Sequence, residues 1–133
     1  MKDRFTDKVA LITGGSQGIG RGIALSLAEE GASIVINYRS NLAEAQETAR
    51  VVQALGREVL VCQADVADRK AVRSMFDQAI KRFGRIDIVV ANAAYSERET
   101  VVEAKWENVL RKIEVSQFGV FHTCQLAAQQ MVA

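Results

Sequence analysis

The sequence predicts an α/β fold with a doubly wound parallel sheet in the strand order 3-2-1-4. Short apolar runs recur along the chain, and each is followed by a longer segment whose apolar residues return every three or four positions. Such runs are typical of strands covered on both faces, and the longer period is typical of amphipathic helices. Their alternation with right-handed crossovers gives this order and places the ligand crevice beyond the carboxyl ends of the strands.

Turn and capping residues set the limits of each predicted element. The predicted strands are 9–12, 33–37, 58–63 and 86–91, and the predicted helices are 17–30, 41–55, 68–84 and 103–131. Asn41 and Asp68 are typical helix N-caps, and the glycines at positions 31, 56 and 84 are typical of helix ends. In the first helix we expect an apolar stripe of Ile19, Ile23, Ala24, Leu27 and Ala28. In the last helix we expect core or interface positions at Val109, Leu110, Ile113, Phe118, Phe121 and Leu126, with Trp106 as a further packing residue.

The composition is that of one globular domain. The chain has 133 residues, of which 49% are hydrophobic and 25% charged, and its formal net charge is +1. This balance gives no indication of a nucleic-acid partner, and no apolar run is long enough to cross a bilayer, so we expect a cytoplasmic protein without a membrane partner. Cys62 and Cys124 have no metal-ligand spacing, and we expect both thiols to be reduced and buried.

The segment Thr13–Gly20 joins the first strand to the first helix through a glycine-rich turn. Glycines in the pattern Gly14-x-x-x-Gly18-x-Gly20 permit positive φ angles and a close approach by a ligand. The helix that follows begins with unpaired N–H groups, so its N-terminus is suited to a pyrophosphate. A P-loop is excluded because Arg21, rather than a lysine and a hydroxyl residue, follows the last glycine. The alternative is a turn that only connects the strand to the helix.

The end of the second strand bears on the choice of cofactor. NAD-binding folds use a carboxylate about 20 residues after the glycine turn to bond the ribose 2′-hydroxyl, and none stands between Asn37 and Asn41. Arg39, with Ser40 and the amides beside it, offers a guanidinium and neutral donors that suit a 2′-phosphate. We therefore expect NADP, with NAD as the second cofactor it would accept. The alternative role of Arg39 is a solvated surface charge.

Two further strand ends carry residues that belong to the same crevice. Asp65 can accept a hydrogen bond from the adenine amino group while Val66 packs against the ring edge, although most such aspartates are turn or capping residues. Asn92 can bridge backbone groups of neighbouring strands under the nicotinamide ribose, and the alternative is an ordinary turn asparagine.

Taken together, Thr13–Gly20, Asp65-Val66 and Ala91–Ala94 resemble the short-chain dehydrogenase/reductase family in order and spacing, over the whole chain. Through Lys8–Gly15 and Asn37–Ser40, the sequence is most similar to the classical branch that includes 3-oxoacyl-carrier-protein reductases and glucose 1-dehydrogenases. The resemblance implies a Rossmann-like fold. It implies that Gly14, Ser16, Gln17, Gly18, Ile19 and Gly20 lie against the cofactor phosphates, Asp65 and Val66 against adenine, and Asn92, Ala93 and Ala94 beside the nicotinamide ribose.

The chain departs from the family pattern in three ways. Ala91 and Ala94 stand where the family has an asparagine and a glycine, which is expected to weaken cofactor binding. Ser116, three residues before Gly119, stands where the family has an asparagine that helps to organise a proton-relay water. The family's catalytic serine, tyrosine and lysine follow the last predicted helix, and no Tyr-x-x-x-Lys is present. We therefore expect residues 1–133 to be a cofactor-binding domain without the catalytic half.

These expectations combine into one predicted function. The resemblance implies the cofactor-binding part of an NADP(H)-preferring oxidoreductase, which in the complete protein transfers hydride between the nicotinamide and a small carbonyl or alcohol substrate. It also implies a homo-oligomer that assembles through the last helix. Two alternatives are a non-catalytic fragment that binds nucleotide or a longer relative, and a truncated product without a stable fold.

Overall fold

The computed structural model describes residues 3–133, which form a four-stranded parallel sheet flanked by helices. The strands are β1 (Val9–Ile12), β2 (Ser33–Tyr38), β3 (Val59–Gln63) and β4 (Ile88–Val90). The helices are α1 (Gly18–Glu29), α2 (Leu42–Ala54), α3 (Arg69–Phe83), α4 (Trp106–Ile113) and α5 (Gly119–Val132), and a π-helical segment, Glu114–Phe118, joins the last two.

The sheet has the order β3-β2-β1-β4, which confirms the predicted fold class. Ala10 of β1 lies beside Ile34 of β2 and Ile88 of β4 in the parallel register. The two central strands are apolar throughout most of their length because helices cover both faces of the sheet. Their carboxyl ends therefore open towards the same side of the molecule.

Alternate residues of β1 face two separate helix layers, as the pleat of a strand requires. Leu11 is fully buried in a cluster that includes Met75 of α3 and Leu126 of α5. Ala10 and Ile12 are fully buried in a second cluster with residues of α1 and α2. The sheet is thus the middle layer of three. The turns at the carboxyl ends of β1, β2 and β3 lead into the N-termini of the helices that follow.

The predicted caps are confirmed. Asn41 Oδ1 accepts a hydrogen bond from the Glu44 N–H at 3.1 Å, and Asp68 Oδ1 accepts one from the Lys70 N–H at 3.0 Å. The glycines at positions 31, 56 and 84 have φ angles of +107°, +80° and +84°, which is the left-handed conformation expected after a helix.

The strand β4 is shorter than predicted and begins at Ile88 rather than Ile86. Its start is shifted because the Asp87 carboxylate, held by Arg85, accepts the Val9 N–H at 2.9 Å in place of a backbone carbonyl. Its end is earlier because the Asn92 N–H turns towards the Thr13 hydroxyl. Side chains therefore set both limits of this strand.

The last predicted helix is present as an unbroken helical run, but it begins later than the predicted start at residue 103. The chain begins the helix at Trp106 and passes through the π-helical segment before α5. Leu126 is buried, but Trp106 is 68% exposed, and four more of the predicted residues are exposed: Leu110, Ile113, Phe118 and Phe121. Whether these side chains lie in an interface stays a prediction.

Small side chains take the inner face of α5 instead. Gly119, Thr123 and Ala127, spaced by four, are buried together with Leu126. A Cβ atom on Gly119 would lie 2.6 Å from Val66 Cγ2, so the helix packs against the end of β3 at a distance that only glycine permits. The large apolar residues consequently lie on the other faces of the helix. No helix within residues 3–133 has both the length and the apolarity needed to cross a bilayer.

The two cysteines differ in environment, which corrects the prediction that both are buried. Cys62 is 1% exposed on β3, and burial raises the pKa of its thiol to about 11. Cys124 lies exposed on α5.

The native protein is therefore expected to react with Ellman's reagent at one thiol only, at about pH 8, because the reactive species is the thiolate. The second thiol should react after unfolding in guanidinium. Cys124→Ser should abolish the native reaction, and Cys62→Ser should leave it unchanged. Rapid labelling of two thiols in the native chain would contradict the burial of Cys62.

Candidate functional site

A cleft of about 400 Å³ lies beyond the carboxyl ends of the four strands. It is lined by ten of the thirteen residues predicted to bind a cofactor: Gly14, Ser16, Gln17, Arg39, Ser40, Asp65, Val66, Asn92, Ala93 and Ala94. Its other lining residues include the two amides that were grouped with Arg39 as donors, and the full set is Asn37, Tyr38, Asn41, Ala64, Tyr95, Arg111 and Val115. The topology thus brings residues from four separate strand ends to one place.

The glycine turn adopts a conformation that depends on its glycines. Gly14 and Gly18 have φ angles of +63° and +56°, which other residues rarely adopt. Gly20 is required for a different reason, because a Cβ atom there would overlap the Gly14 carbonyl oxygen and lie 2.6 Å from Asn92 Nδ2. The first turn of α1 is therefore packed directly on the backbone that leaves β1.

The N-terminus of α1 has no side-chain cap within the described chain. Its N-cap residue, Gln17, makes no capping hydrogen bond, and no acidic residue occupies the first turn. By contrast, Asn41 and Asp68 cap α2 and α3. Unpaired N–H groups and the positive end of the helix dipole at the rim of a cleft form a binding site for an anion.

Three predicted residues of this turn do not line the cleft. Gly18 and Ile19 are exposed on the outer side of the first helical turn, and Gly20 is buried beneath it. Ile19, the first residue of the apolar stripe predicted for α1, is 78% exposed, so it does not pack in the core as the buried members of that stripe do. The exposure of Ile19 follows from its position in the first turn of α1, which has no side-chain cap, and not from the helical period.

A reciprocal set of hydrogen bonds ties the end of β1 to the end of β4. The Thr13 hydroxyl accepts from the N–H groups of Asn92 at 2.9 Å and Ala93 at 3.0 Å. Asn92 Nδ2 donates to the carbonyl oxygens of Thr13 at 3.1 Å and Gly14 at 3.2 Å. The predicted bridging of neighbouring strands by Asn92 is confirmed, and these hydrogen bonds join the two strand ends that form the cleft floor.

Asn37 performs a similar task between β1 and β3. It is 2% exposed, its Oδ1 accepts the Gly14 N–H at 3.1 Å, and its Nδ2 donates to the Ala64 carbonyl at 3.0 Å. Both ends of the amide are therefore committed to the backbone. Asn37 belongs to the scaffold of the cleft, which corrects its grouping with the free donors around Arg39.

Thr48 of α2 supports the glycine turn from the side of the second helix, a role that no sequence pattern indicated. Its buried hydroxyl donates to the Ser16 carbonyl at 2.8 Å and accepts from Arg21 Nη1 at 3.4 Å. The bond fixes the middle of the glycine turn against the second helix. The one signal for this role is the full burial of a threonine on the side of α2 that faces the turn, and burial becomes apparent only in the folded chain.

Arg39 lies at the mouth of the cleft with its guanidinium free of carboxylates. Among residues 3–133 it forms no salt bridge, and its only assigned hydrogen bond is the one that its backbone carbonyl accepts from Gln63 Nε2 at 3.0 Å. Ser40 is exposed beside it. The charged residues that line the cleft are Arg39, Asp65 and Arg111, and Asp65 pairs with Arg111, so Arg39 gives the cleft its net positive charge.

Asp65 has two roles in the structure. Its Oδ1 accepts the Ala67 N–H at 3.0 Å, which is the turn role that most aspartates in this position have. Its Oδ2 lies 2.8 Å from Arg111 Nη2 of α4. Val66, which follows, is 5% exposed and packs against Gly119. The partner of Asp65 could not be recognised in the sequence because α4 carries no motif at that position.

Ser116 lies in the π-helical segment and does not line the cleft. Its hydroxyl is 3.3 Å from the Tyr95 N–H, which donates to it, and 3.5 Å from the Tyr95 carbonyl. Val115, immediately before it, is buried and lines the cleft. The serine thus connects the loop after β4 to the last helical region.

The phenol of Tyr95 is a weaker acid than a free tyrosine. Partial burial raises the pKa of its phenol, and the hydrogen bond that the hydroxyl donates to Glu97 at 3.1 Å acts in the same direction. The side chain therefore stays protonated at neutral pH. The guanidinium of Arg111, 5.9 Å from the ring centroid, acts in the opposite direction and lowers the pKa, but burial and Glu97 outweigh it.

Comparison with known protein families shows to which family the chain with this fold and cleft belongs. A family profile described as short chain dehydrogenase matches residues 8–133. The chain belongs to the short-chain dehydrogenase family. This result confirms the predicted family.

Relatives within the short-chain dehydrogenases include a 3-oxoacyl-(acyl-carrier-protein) reductase FabG of Staphylococcus aureus strain Mu50. It is 37% identical over 128 residues, which are 94% of this chain and 51% of that protein. The chain spans about half the length of the curated relatives it matches.

Two solved short-chain dehydrogenase structures carry a nicotinamide cofactor. A short chain dehydrogenase from Burkholderia cenocepacia J2315 in complex with NADP has a TM-score of 0.92 and 36% identity, over 96% of this chain and 52% of that one. Carveol dehydrogenase from Mycobacterium avium in complex with NAD has a TM-score of 0.90 and 30% identity, over 98% of this chain and 52% of that one.

Proposed function

We propose that this chain binds the pyrophosphate and adenosine parts of a nicotinamide dinucleotide, as the cofactor-binding domain of an oxidoreductase. One observation carries the proposal: the uncapped N-terminus of α1 lies at the rim of a cleft that four strand ends build. A pyrophosphate supplies the negative charge that this helix end lacks. The family and its two cofactor-bound members support the same ligand class.

Each part of the cleft is matched to one part of the ligand. The phosphates are assigned to Gly14, Ser16 and Gln17, which line the cleft, and to the adjoining residues Gly18, Ile19 and Gly20 of the first helical turn, which lie outside its lining. The adenine is assigned to Asp65 and Val66, and the nicotinamide ribose to Asn92, Ala93 and Ala94. The sheet order supports this direction, because β1, β2 and β3 are neighbours and a dinucleotide can extend across their ends from the turn to Asp65.

We infer a preference for NADP(H) over NAD(H) from Arg39 and Ser40. The guanidinium has no carboxylate partner in the described chain, and a 2′-phosphate provides one at the end of β2. A carboxylate at this strand end would instead favour the 2′-hydroxyl of NAD. NAD is expected to bind more weakly through the contacts that both cofactors share.

In the complete protein, the bound nicotinamide supplies or accepts a hydride, and a small carbonyl or alcohol compound is the substrate. The residues of this chain orient the cofactor, and Ser116 is assigned to the family's asparagine position. Tyr95 lacks the lysine partner that proton transfer requires, so the proton donor is assigned to another part of the protein. The contact surface of a homo-oligomer is assigned to the last helical region, where Phe118 and Phe121 are 49% and 59% exposed.

Binding of NADPH tests the proposal directly. Titration of the 133-residue chain with NADPH should give saturable enhancement of the nicotinamide fluorescence, and excess NADP should reverse it. ATP at the same concentration is the control, because it has phosphates and adenine but no nicotinamide. Absence of saturation, or complete displacement by equimolar ATP, would contradict a dinucleotide site.

A further inference from the structure

Arg111 is a cleft residue that neither the glycine turn nor the strand-end pattern includes. It lies on α4, one turn before Val115, and its side chain is 22% exposed where it lines the cleft. It is thus the one cleft residue that brings a cation from the helical region after β4. Arg39 approaches from β2 and is not paired with a carboxylate in residues 3–133.

Two contacts fix the Arg111 guanidinium. Its Nη2 lies 2.8 Å from Asp65 Oδ2, and its central carbon lies 5.9 Å from the centroid of the Tyr95 ring. An ion pair on one side and an aromatic ring on another leave the planar group few orientations. The pair also joins the end of β3 to α4, two regions that are distant in sequence.

The same contacts fix the Asp65 carboxylate. The Ala67 N–H donates to Oδ1 at 3.0 Å, and Arg111 donates to Oδ2. Each carboxylate oxygen has a second lone pair, so the group can still accept one hydrogen bond from a ligand. Without Arg111, only the turn bond to Ala67 would hold the carboxylate, and its orientation about the side-chain bonds would be less restricted.

We propose that Arg111 is a positioning residue for the adenine base, which acts by holding Asp65 in the orientation that accepts the exocyclic amino group. This inference rests on the proposed function. It assigns part of the recognition of the base to a residue on α4, outside the strand ends. The selectivity follows from chemistry: adenine presents an amino donor at this position, whereas hypoxanthine presents a carbonyl oxygen that a carboxylate acceptor repels.

The test compares binding of NADPH with binding of reduced nicotinamide hypoxanthine dinucleotide phosphate, the same cofactor with the base changed. The native chain is expected to bind NADPH at least about tenfold more tightly, since a hydrogen bond to a charged group contributes about 1.5–3 kcal/mol. Arg111→Gln should reduce this ratio to about threefold or less. Arg111→Lys, which keeps the charge, should restore part of it.

Arg82→Gln is the matched control, because it removes a surface ion pair, Arg82 Nη2 to Glu58 Oε1 at 3.1 Å, on another side of the molecule. It should leave the base ratio at the native value. Thermal unfolding of each free variant measures any loss of stability separately.

The outcomes distinguish the inference from the function on which it rests. A native base ratio in folded Arg111→Gln, or a native chain that binds both cofactors equally, overturns the role of Arg111 while the cofactor site stands. If Arg111→Gln does not fold, Arg111→Lys decides: a base ratio below the native value supports the role of Arg111, and a native ratio together with native stability overturns it. Failure of the native chain to bind either cofactor overturns the proposed function and the inference together.

Discussion

Gly20→Ala is expected to destabilise the fold and to reduce NADPH binding by at least about tenfold. The added methyl group would overlap the Gly14 carbonyl oxygen and press on Asn92 Nδ2, so α1 must move away from the end of β1. Overpacking of this kind destabilises proteins by about 1–3 kcal/mol or more. The movement also misaligns the N–H groups of the first helical turn, and loss of one hydrogen bond to a charged group lowers affinity by about tenfold or more. Thermal unfolding and NADPH titration measure the two effects.

Gly22→Ala is the control for this substitution on the same helix. A Cβ atom at Gly22 meets nothing within 4 Å, and alanine is the better helix former by about 1 kcal/mol. This variant should therefore bind NADPH normally and unfold at an equal or higher temperature. Equal behaviour of the two variants would show that the close packing of Gly20 on Gly14 has no consequence.

Arg39→Gln is expected to remove the preference for NADPH. Under the proposed assignment, the guanidinium makes a charge-assisted hydrogen bond to the 2′-phosphate, which contributes about 1.5–3 kcal/mol. The affinity for NADPH should fall by about tenfold or more, while that for NADH stays within about twofold of the native value. Dissociation constants for both cofactors, measured at one salt concentration, give the ratio.

Arg50→Gln controls for the general loss of one positive charge. Arg50 lies on the exposed face of α2, where it pairs with Glu47 at 2.9 Å, so its removal should not change the ratio of the two affinities. A parallel loss of NADPH and NADH affinity in Arg39→Gln would contradict recognition of the 2′-phosphate. It would indicate instead that Arg39 attracts both cofactors through charge alone.

The fold was predictable because its determinants are local in sequence. The apolar runs of β1 and β2 are long enough to indicate strands without any knowledge of their neighbours. Asp68 and the left-handed glycine after α3 mark that helix at both ends. These signals lie within a few residues of the elements they define, so the strand order follows from connection rules.

The predictions of secondary structure and core residues failed where contacts between residues distant in sequence determine the result. The start of β4 depends on the Asp87 carboxylate reaching Val9, and the inner face of α5 depends on how closely Gly119 approaches Val66. The helical period alone predicted core or interface positions for the large apolar residues and could not distinguish between the two. A π-helical segment before α5 adds to the difficulty, because it departs from the period on which such predictions rest.

The candidate site was predictable in part for the same reason. The glycine turn and Asn92 belong to short motifs, so their positions in the cleft followed from the strand ends. Thr48 and Arg111 act through single long-range bonds, to Ser16 and Asp65, and neither sits in a recognisable pattern. Residues of this kind are apparent only once the helices that carry them are packed.

Thermal unfolding of the 133-residue chain, alone and with equal concentrations of NADPH or NADH, shows whether the cleft binds a dinucleotide. A ligand at 100 times its dissociation constant stabilises the folded state by about 2.7 kcal/mol, which for a domain of this size raises the unfolding temperature by about 10 °C. We expect a cooperative transition that NADPH shifts upward by this amount and NADH shifts less. A transition that neither cofactor moves, or none at all, would contradict a dinucleotide-binding domain in this chain, and a larger shift with NADH would contradict the role of Arg39.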